Sequence, residues 1–192
     1  MLHENTDHLS KASIHRLNKI LLDQRRRSAI PWGRAPSLSG GPLLTLIDAD
    51  SLSDQEITHK IKNLSSNELE LHIHVCANRS LVLAEQLTIH TLSKFKRESH
   101  TQVTFTVVPQ GLNQADTWLK KVSENSLLEK SYDGVIVLTQ DRDLFPIIER
   151  WRGIGRAAFI SPLRLDESGL HLIERCQRLG FSTIDCALNE IH

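Results

Sequence analysis

From Leu43 onward, short apolar runs alternate with segments whose apolar residues recur at helical spacing. This alternation is typical of repeated β-α-β units, which build a mostly parallel sheet between two layers of helices. We therefore predict an α/β fold, a three-layer sandwich whose central, mostly parallel sheet has about five strands. The near-continuous apolar run at 135–139 indicates a strand that is covered on both faces, so it belongs at the centre of the sheet.

The predicted strands occupy residues 43–48, 69–76, 103–108, 135–139 and 157–160, and residues 181–186 fit an edge strand. Helices are predicted at 53–64, 80–94, 144–152 and 170–179, and another begins near Asn113. The first of these helices opens on Ser53 and Glu56, a pair that has the spacing of a capping box.

The chain divides into three predicted regions. Residues 1–27 form a basic amphipathic helical extension, because Ile14, Leu17 and Leu21 recur at helical spacing before the run at 25–27 of three arginines. Residues 28–42 hold three of the 6 prolines and are predicted to be a linker, and residues 43–192 form the α/β domain. Charge follows this division, since residues 1–40 carry 7 Lys and Arg against 3 Asp and Glu, whereas the whole chain has 23 of each.

The composition favours a reduced, cytoplasmic setting. The 3 cysteines are widely separated and form neither a Cys-x-x-Cys pair nor a disulfide framework. The first residues lack the apolar segment of a secretory signal, and no apolar run approaches the roughly 20 residues of a membrane-spanning helix. We therefore expect a cytoplasmic protein that does not associate with membranes.

Aspartates follow several of the predicted strands. Asp48 and Asp50 end the first strand, Asp116 lies after the third, and Asp141 and Asp143 follow the fourth. Right-handed crossovers bring the carboxyl ends of parallel strands to one edge of the sheet, where ligands bind. Carboxylates gathered there repel one another unless a cation neutralises them, and oxygen ligands select hard metals such as Mg²⁺ or Mn²⁺. The sequence therefore predicts a metal site at this edge.

The segment VIVLTQDRDLFPIIERWRGIGRAAFIS, together with Asp48 at a strand end and the helix that carries Asp116, resembles the NYN branch of the PIN-like nucleases. The resemblance spans roughly residues 43–186. It implies that Asp48, Asp116 and Asp141 bind divalent metal, with Asp143 as a fourth acidic member. It also implies cleavage of RNA, which many members of the family carry out. Thr139 matches a position where the family usually has Ser or Thr.

The resulting hypothesis is a divalent-metal-dependent endoribonuclease in which metal ions activate water and stabilise the leaving oxygen of a phosphodiester. Asp50 and Asp143 are expected to act as outer ligands or to bind a second ion. Thr139, Arg79 and Arg142 are the candidates for binding the RNA substrate, whether it is single-stranded or structured. The N-terminal helix is expected either to aid substrate binding or to mediate homo-oligomerisation.

Other interpretations of these residues are open at this stage. Asp143 can act as a helix N-cap, Asp116 as the second half of a capping box, and Asp50 as a turn residue. The same fold can serve as a catalytically inactive module that binds RNA or a protein partner. A phosphatase of the haloacid dehalogenase type is a third alternative, because the segment at 48–50, Asp-Ala-Asp, resembles the Asp-x-Asp of that family. Its Gly-Thr-type continuation is missing, since Ser-Leu stands at 51–52.

Overall fold

A computed structural model describes residues 41–65, 70–79, 101–129 and 132–183. The predicted N-terminal extension, almost all of the linker and the helix predicted at 80–94 lie outside these residues. The division of the chain into an extension, a linker and an α/β domain therefore stays a prediction.

Within the described ranges, six strands and four helices follow one another along the chain, and residues 80–100, between the second and third strands, lie outside these ranges. The strands are β1 (Leu43–Asp48), β2 (Leu71–Ala77), β3 (Gln102–Val107), β4 (Gly134–Leu138), β5 (Ala157–Ser161) and β6 (Ser182–Thr183). The helices are α1 (Asp54–Ser65), α2 (Gln114–Glu129), α3 (Phe145–Gly153) and α4 (Glu167–Arg178), and a short 3-10 turn (Arg142–Leu144) precedes α3. The five strands predicted up to residue 160 are confirmed, each to within two residues at either end.

All six strands are parallel and lie in the order β3-β2-β1-β4-β5-β6. This arrangement confirms the α/β prediction, with one strand beyond the expected five because Ser182 and Thr183 pair with β5. From β1 the chain adds β2 and β3 on one side, and it then crosses over to add β4, β5 and β6 on the other. The direction of winding therefore reverses between β1 and β4, which are neighbours in the sheet.

Side chains that alternate along the strands divide the core into two layers. The layer between the sheet and the helices α2, α3 and α4 includes Leu44, Leu119, Val137, Ile148, Trp151 and Leu172. The layer between the sheet and α1 includes Ile47, Ile57, Ile61 and Ile136. Helices thus cover both faces, which confirms the three-layer prediction. Full burial of each such side chain contributes about 1.5–3 kcal/mol, so both layers help to hold the strands in register.

Polar side chains fix where two of the helices begin. Ser53 and Glu56 form the predicted capping box of α1, in which the Ser53 N–H donates to Glu56 Oε2 at 2.7 Å and the Glu56 N–H to Ser53 Oγ at 3.3 Å. α4 begins three residues before its predicted start. The reason is that Asp166 accepts a hydrogen bond from the Gly169 N–H at 2.9 Å and caps a polar first turn that apolar spacing does not reveal. None of the helices in the described ranges has the length and apolar character needed to cross a bilayer.

Candidate metal centre

The carboxyl ends of β1 and β4 meet where the winding of the sheet reverses. Asp48 is the last residue of β1, and Thr139 directly follows β4. The helices that follow these two strands, α1 and α3, lie on opposite faces of the sheet. In open parallel sheets, a ligand-binding crevice opens where the helices after two neighbouring strands lie on opposite faces of the sheet. The strand order therefore places a crevice at the predicted aspartates.

Three carboxylates gather at this crevice, from the first turn of α2 and from the segment after β4. Asp116, Asp141 and Asp143 each contribute an oxygen, and these oxygens all lie within 4.8 Å of one another. We call these three residues the acidic triad. Asp116 is buried, whereas Asp141 and Asp143 are exposed. The triad is therefore closed on the side of Asp116 and open to solvent on the side of Asp141 and Asp143.

Hydrogen bonds to Thr139 order the segment that supplies two members of the triad. The Thr139 Oγ1 accepts a hydrogen bond from the Asp141 N–H at 2.9 Å, and Asp141 Oδ1 accepts one from the Asp143 N–H at 2.9 Å. The second bond caps the 3-10 turn and directs the chain from β4 towards α3. Thr139 also donates its hydroxyl to Asp48 Oδ2 at 3.1 Å, so one side chain connects the ends of β1 and β4.

Asp48 lies next to the acidic triad, and its acidity is strongly altered. The pKa of Asp48 is raised from 3.8 to about 6, mainly by burial and in addition by the negative charges of Asp116 and Asp50. Hydrogen bonds from the Asp50 N–H and from the Thr139 hydroxyl oppose this rise. Asp48 is therefore a carboxylate whose ionisation is costly unless positive charge is supplied nearby.

Asp116 shows the same effect within the triad. Burial raises the pKa of this carboxyl, and the charges of Asp141 and Asp143 add to the rise, while Lys120 opposes it. Mutual repulsion of this kind is relieved when a cation lies between the carboxylates, because its charge stabilises their ionised forms. The electrostatics of the triad thus match those of a cation-binding group.

The thiol of Cys76, which the charges of these aspartates affect, is unsuited to metal binding. Cys76 is fully buried at the end of β2, and burial together with the charges of Asp50 and Asp48 raises the pKa of its thiol to about 12. A thiol binds metal as the thiolate, which this environment disfavours. The donors that remain are carboxylate oxygens, the ligand type that suits Mg²⁺ or Mn²⁺.

The remaining predicted site residues serve partly structural roles. Asp50 Oδ1 accepts a hydrogen bond from the Asn78 N–H at 2.7 Å, so Asp50 joins the ends of β1 and β2 in the turn role considered for it. Arg79 donates to Asp54 Oδ1 at 2.6 Å and to the carbonyl of Leu52, which ties the end of β2 to the start of α1. An RNA contact by Arg79 would compete with these bonds.

The two other predicted substrate-binding residues differ in exposure. Arg142 is exposed at the start of the 3-10 turn, between Asp141 and Asp143 in the chain. Thr139 is fully buried, and its hydroxyl bonds both Asp48 and the backbone of Asp141. A buried hydroxyl with two partners positions carboxylates, and this role fits Thr139 better than the predicted contact with substrate.

The capping roles considered for Asp143 and Asp116 are not observed among the described residues. The cap of the 3-10 turn is Asp141, and Leu144 precedes α3 with no side-chain cap. Asn113, at the entry to α2, has a positive φ of 56° and accepts hydrogen bonds from Thr117 through its carbonyl. The carboxylates of Asp116 and Asp143 are therefore not committed to helix ends, and they are available as ligands.

An ion pair at the edge of the crevice was not anticipated from the sequence. Arg164, in the loop after β5, donates from Nε to Glu56 Oε1 at 2.7 Å and from Nη2 to Glu56 Oε2 at 2.9 Å. Arg164 Nη2 also donates to the carbonyl of Ser51 at 2.7 Å. The bond from Arg164 is the main reason why the pKa of Glu56 falls to about 2. This pair connects the loops that follow β1 and β5, one on each side of β4.

Sequence reasoning missed this pair because the capping box already accounted for Glu56, and the two residues are 108 positions apart. Gln140 supports the same loop, since its Nε2 donates to the Arg164 carbonyl at 3.2 Å and to Asp166 Oδ1 at 3.0 Å. No local pattern in the sequence signals either contact.

The fold and the site define an α/β protein with a carboxylate-lined crevice at the reversal of a parallel sheet. No protein-family model, curated protein or solved structure matches the chain.

Proposed function

We propose that this protein is a divalent-metal-dependent nuclease of the PIN-like type, an endonuclease that hydrolyses RNA. The observation that carries the proposal is the acidic triad, in which carboxylate oxygens of Asp116, Asp141 and Asp143 lie within 4.8 Å of one another at the crevice. The resemblance of the segment after β4 to the NYN branch of these nucleases gives independent support, because it singles out the same aspartates.

The residues present fit a hard divalent cation. The triad offers oxygen donors in a group small enough to share one ion, and its exposed side leaves room for water and substrate. Asp48 is the further ligand that the resemblance implies, and its raised pKa is the behaviour of a carboxylate that needs a cation. When bound, Mg²⁺ or Mn²⁺ would activate a water molecule and stabilise the leaving oxygen of a phosphodiester in an in-line displacement.

The protein's own side chains then have distinct tasks. Asp116, Asp141 and Asp143 would hold the cation, and Thr139 keeps Asp48 and the Asp141 backbone at a fixed separation. Arg142, which is exposed beside the triad, is placed to contact a phosphate. In this scheme no side chain has to form a covalent bond with the substrate, since water is the nucleophile.

Two rival functions that the fold alone would permit fit the crevice less well. The segment after β1, DADSLSD, has no glycine, whereas a dinucleotide-binding turn needs several for the backbone to approach the pyrophosphate. Phosphatases of the haloacid dehalogenase type would use Asp48 as a nucleophile. Both oxygens of Asp48 accept hydrogen bonds, one from the Asp50 N–H and one from Thr139, as suits a positioned ligand.

The decisive experiment compares the wild-type protein with Asp141→Asn on labelled single-stranded RNA, structured RNA and single-stranded DNA. Each reaction is run with Mg²⁺, with Mn²⁺ and with EDTA. We expect cleavage of RNA that needs the metal and falls roughly 100-fold or more in the variant, because a ligand is lost. Glu129→Gln is the matched control, since Glu129 lies in the same helix as Asp116 but about 20 Å further along it.

Each outcome of this experiment has a clear meaning. Cleavage that survives both EDTA and Asp141→Asn would overturn the proposal. Absence of cleavage by the wild-type protein under all conditions, with RNA still bound, would favour the catalytically inactive module instead. Trapping of a phosphate ester on Asp48 would favour the phosphatase.

A further inference from the structure

We propose that a cationic surface on α3 and α4 binds the single-stranded nucleic acid as it leaves the acidic triad. The surface consists of Arg152 on α3 and of Arg175 and Arg178 on α4, all of which are exposed. We call it the arginine face. This inference rests on the proposed function, because it assumes that the triad acts on nucleic acid, and it adds the path that the strand takes.

The arginines of this surface differ from others in the described part of the chain. Arg79, Arg150 and Arg164 each form an ion pair with a carboxylate, and Arg156 donates to the carbonyl of Tyr132. Among the described residues, no carboxylate oxygen lies within 4.0 Å of the guanidinium nitrogens of Arg152, Arg175, Arg178 or Arg142. Within the described part of the chain, these four guanidinium groups form no ion pair, which leaves their charge available to attract phosphates.

Two of these guanidinium groups are held in place by aromatic rings. The Arg152 guanidinium lies 5.5 Å from the centre of the Phe181 ring, and the Arg175 guanidinium lies 5.9 Å from the centre of the Phe145 ring. The two rings pack edge to face with their centres 5.3 Å apart. A guanidinium over a ring keeps its N–H groups free for phosphate oxygens, and its restricted motion reduces the entropy lost on binding. Arg178 follows Arg175 by three residues, so it lies beside it on the helix surface.

The arginine face adjoins the triad through the start of α3. Phe145 comes two residues after Asp143, and the Arg175 guanidinium lies over its ring. The surface thus begins within the length of a few nucleotides from the triad. Arg142 lies at the triad itself, so exposed arginines occur both at the point of cleavage and along the exit from it.

A single-stranded polyanion is the occupant that this chemistry favours. Phosphates repeat along such a strand, and several exposed arginines that pair with no carboxylate among the described residues can contact successive phosphates. Two carboxylates oppose this charge: Glu149 lies three residues before Arg152 on α3, and the partly exposed Glu174 lies four residues before Arg178 on α4. The proposal therefore predicts that neutralising the arginines weakens binding of the strand and that neutralising Glu149 strengthens it.

The test measures binding in EDTA, so that it does not depend on cleavage. The probe is a fluorescein-labelled oligouridylate of about twelve nucleotides, and fluorescence anisotropy is recorded over a series of salt concentrations. We expect the triple variant Arg152→Gln, Arg175→Gln, Arg178→Gln to bind roughly tenfold more weakly at 0.1 M salt. The slope of log K against log salt should become less steep by about 0.7 for each arginine removed. Glu149→Gln should bind more tightly than the wild-type protein.

Controls separate charge from folding and from the proposed function. Arg150→Gln is the matched control, because Arg150 is on the same helix but pairs with Glu124 at 2.6 Å, and it should bind like the wild-type protein. Arg178→Gln alone disturbs no aromatic contact, so it remains informative should the triple variant unfold. Unchanged affinity and salt slope in Arg178→Gln and in a folded triple variant would overturn the inference, even if the protein cleaves RNA. Loss of cleavage in Asp141→Asn with arginine-dependent binding intact would support both proposals. Arginine-dependent binding by a wild-type protein that cleaves nothing would overturn the proposed function and leave the arginine face standing.

Discussion

Thr139 shows how much of this site depends on a single hydroxyl group. Its Oγ1 donates to Asp48 and accepts from the Asp141 backbone, at 3.1 and 2.9 Å. Val has nearly the same shape but can make neither bond, so both carboxylate segments would lose their common partner. Side chains that orient metal ligands in this way typically affect metal affinity by about 10–100-fold.

We therefore predict that Thr139→Val weakens Mn²⁺ binding by about 10–100-fold, measured by calorimetric titration. Thr139→Ser keeps the hydroxyl and is the control, and it should stay close to the wild-type affinity. Equal affinities for the Val and Ser variants would show that the hydroxyl does not position the ligands.

Asp48 leads to a prediction about stability and pH. Its folded-state pKa of about 6 lies above its usual 3.8, so ionisation of this group opposes folding. The contribution of the protonated Asp48 carboxyl to the free energy of unfolding is fully present below pH 3.8, and it is lost as the pH rises to about 6. In metal-free protein, Asp48→Asn should therefore raise the free energy of unfolding at pH 8.

A shift of this size corresponds to about 3 kcal/mol at most, and partial exposure of Asp48 reduces the expected gain to about 1–2 kcal/mol. The measurement is urea denaturation in EDTA at pH 8 and at pH 4.5, where the gain should fall to about a third of its value at pH 8. Glu129→Gln should show no such pH-dependent gain. A variant that is less stable than the wild-type protein at pH 8 would contradict the assigned electrostatics.

The sequence predicted the aspartates of the site but not their individual roles. Asp48 ends β1 and Asp141 comes three residues after β4, so their place at the sheet edge follows from the strand pattern. The sequence did not reveal that Asp141 caps the 3-10 turn in place of Asp143, because the choice depends on backbone dihedral angles at the end of β4. Nor did it reveal that Thr139 is buried, which requires knowledge of what packs over the strand end.

At the scale of elements, the crevice is bounded by the loop between β5 and α4. Gly169 lies in the first turn of α4, and a Cβ atom placed there would stand 1.9 Å from the carbonyl oxygen of Arg164. No side chain larger than the hydrogen atom of glycine fits at position 169 unless the backbone at Arg164 moves. Because Arg164 also pairs with Glu56, the displacement would reach the loop after β1.

We predict that Gly169→Ala lowers the free energy of unfolding by about 2 kcal/mol or more, through overpacking against backbone. Gly153→Ala is the matched control, since a Cβ at Gly153 meets nothing within 4 Å. Because Ala has the higher helix propensity, this control should be neutral or slightly stabilising. Chemical denaturation of both variants checks the difference, and equal effects would mean that the loop after β5 yields easily.

Helix boundaries illustrate where sequence patterns stop being informative. The start of α1 was predicted to within one residue, because Ser53 and Glu56 form a cap with a recognisable spacing. The start of α4 was missed, because its first turn is polar and Asp166 signals a cap only once Gly169 is known to lie against it. The ion pair of Arg164 with Glu56 depends on tertiary structure alone.

At the scale of the whole molecule, cation binding should be coupled to stability. A ligand that binds only the folded state stabilises it by RT ln(1 + [L]/Kd), about 2.7 kcal/mol at a concentration of one hundred times Kd. For a protein of 192 residues this corresponds to a rise in Tm of about 5–10 °C. We predict such a rise with Mn²⁺ or Mg²⁺ in the wild-type protein.

The measurement is a thermal melt with and without metal, for the wild-type protein and for Asp141→Asn. The variant should lose most of the metal-dependent rise, whereas Glu129→Gln should keep it. Equal rises in all three proteins would place the cation elsewhere on the molecule.

The strand alternation predicted the fold class and the common edge, but not the order of the strands. Adjacency of β1 and β4 is set by the long crossover that carries α2 across the sheet, and no local pattern encodes it. The crevice was therefore predictable as an edge, while its position between two particular strands was not.

The pairing of β1 with β4 also has a consequence for how the protein is made. Thr139 and Asp48 are 91 positions apart, and the chain between them supplies β2, β3 and α2. Contacts between residues so far apart in the chain form late in folding, because the intervening chain must first lose conformational entropy. A nascent chain on the ribosome thus carries its aspartates well before they can act together.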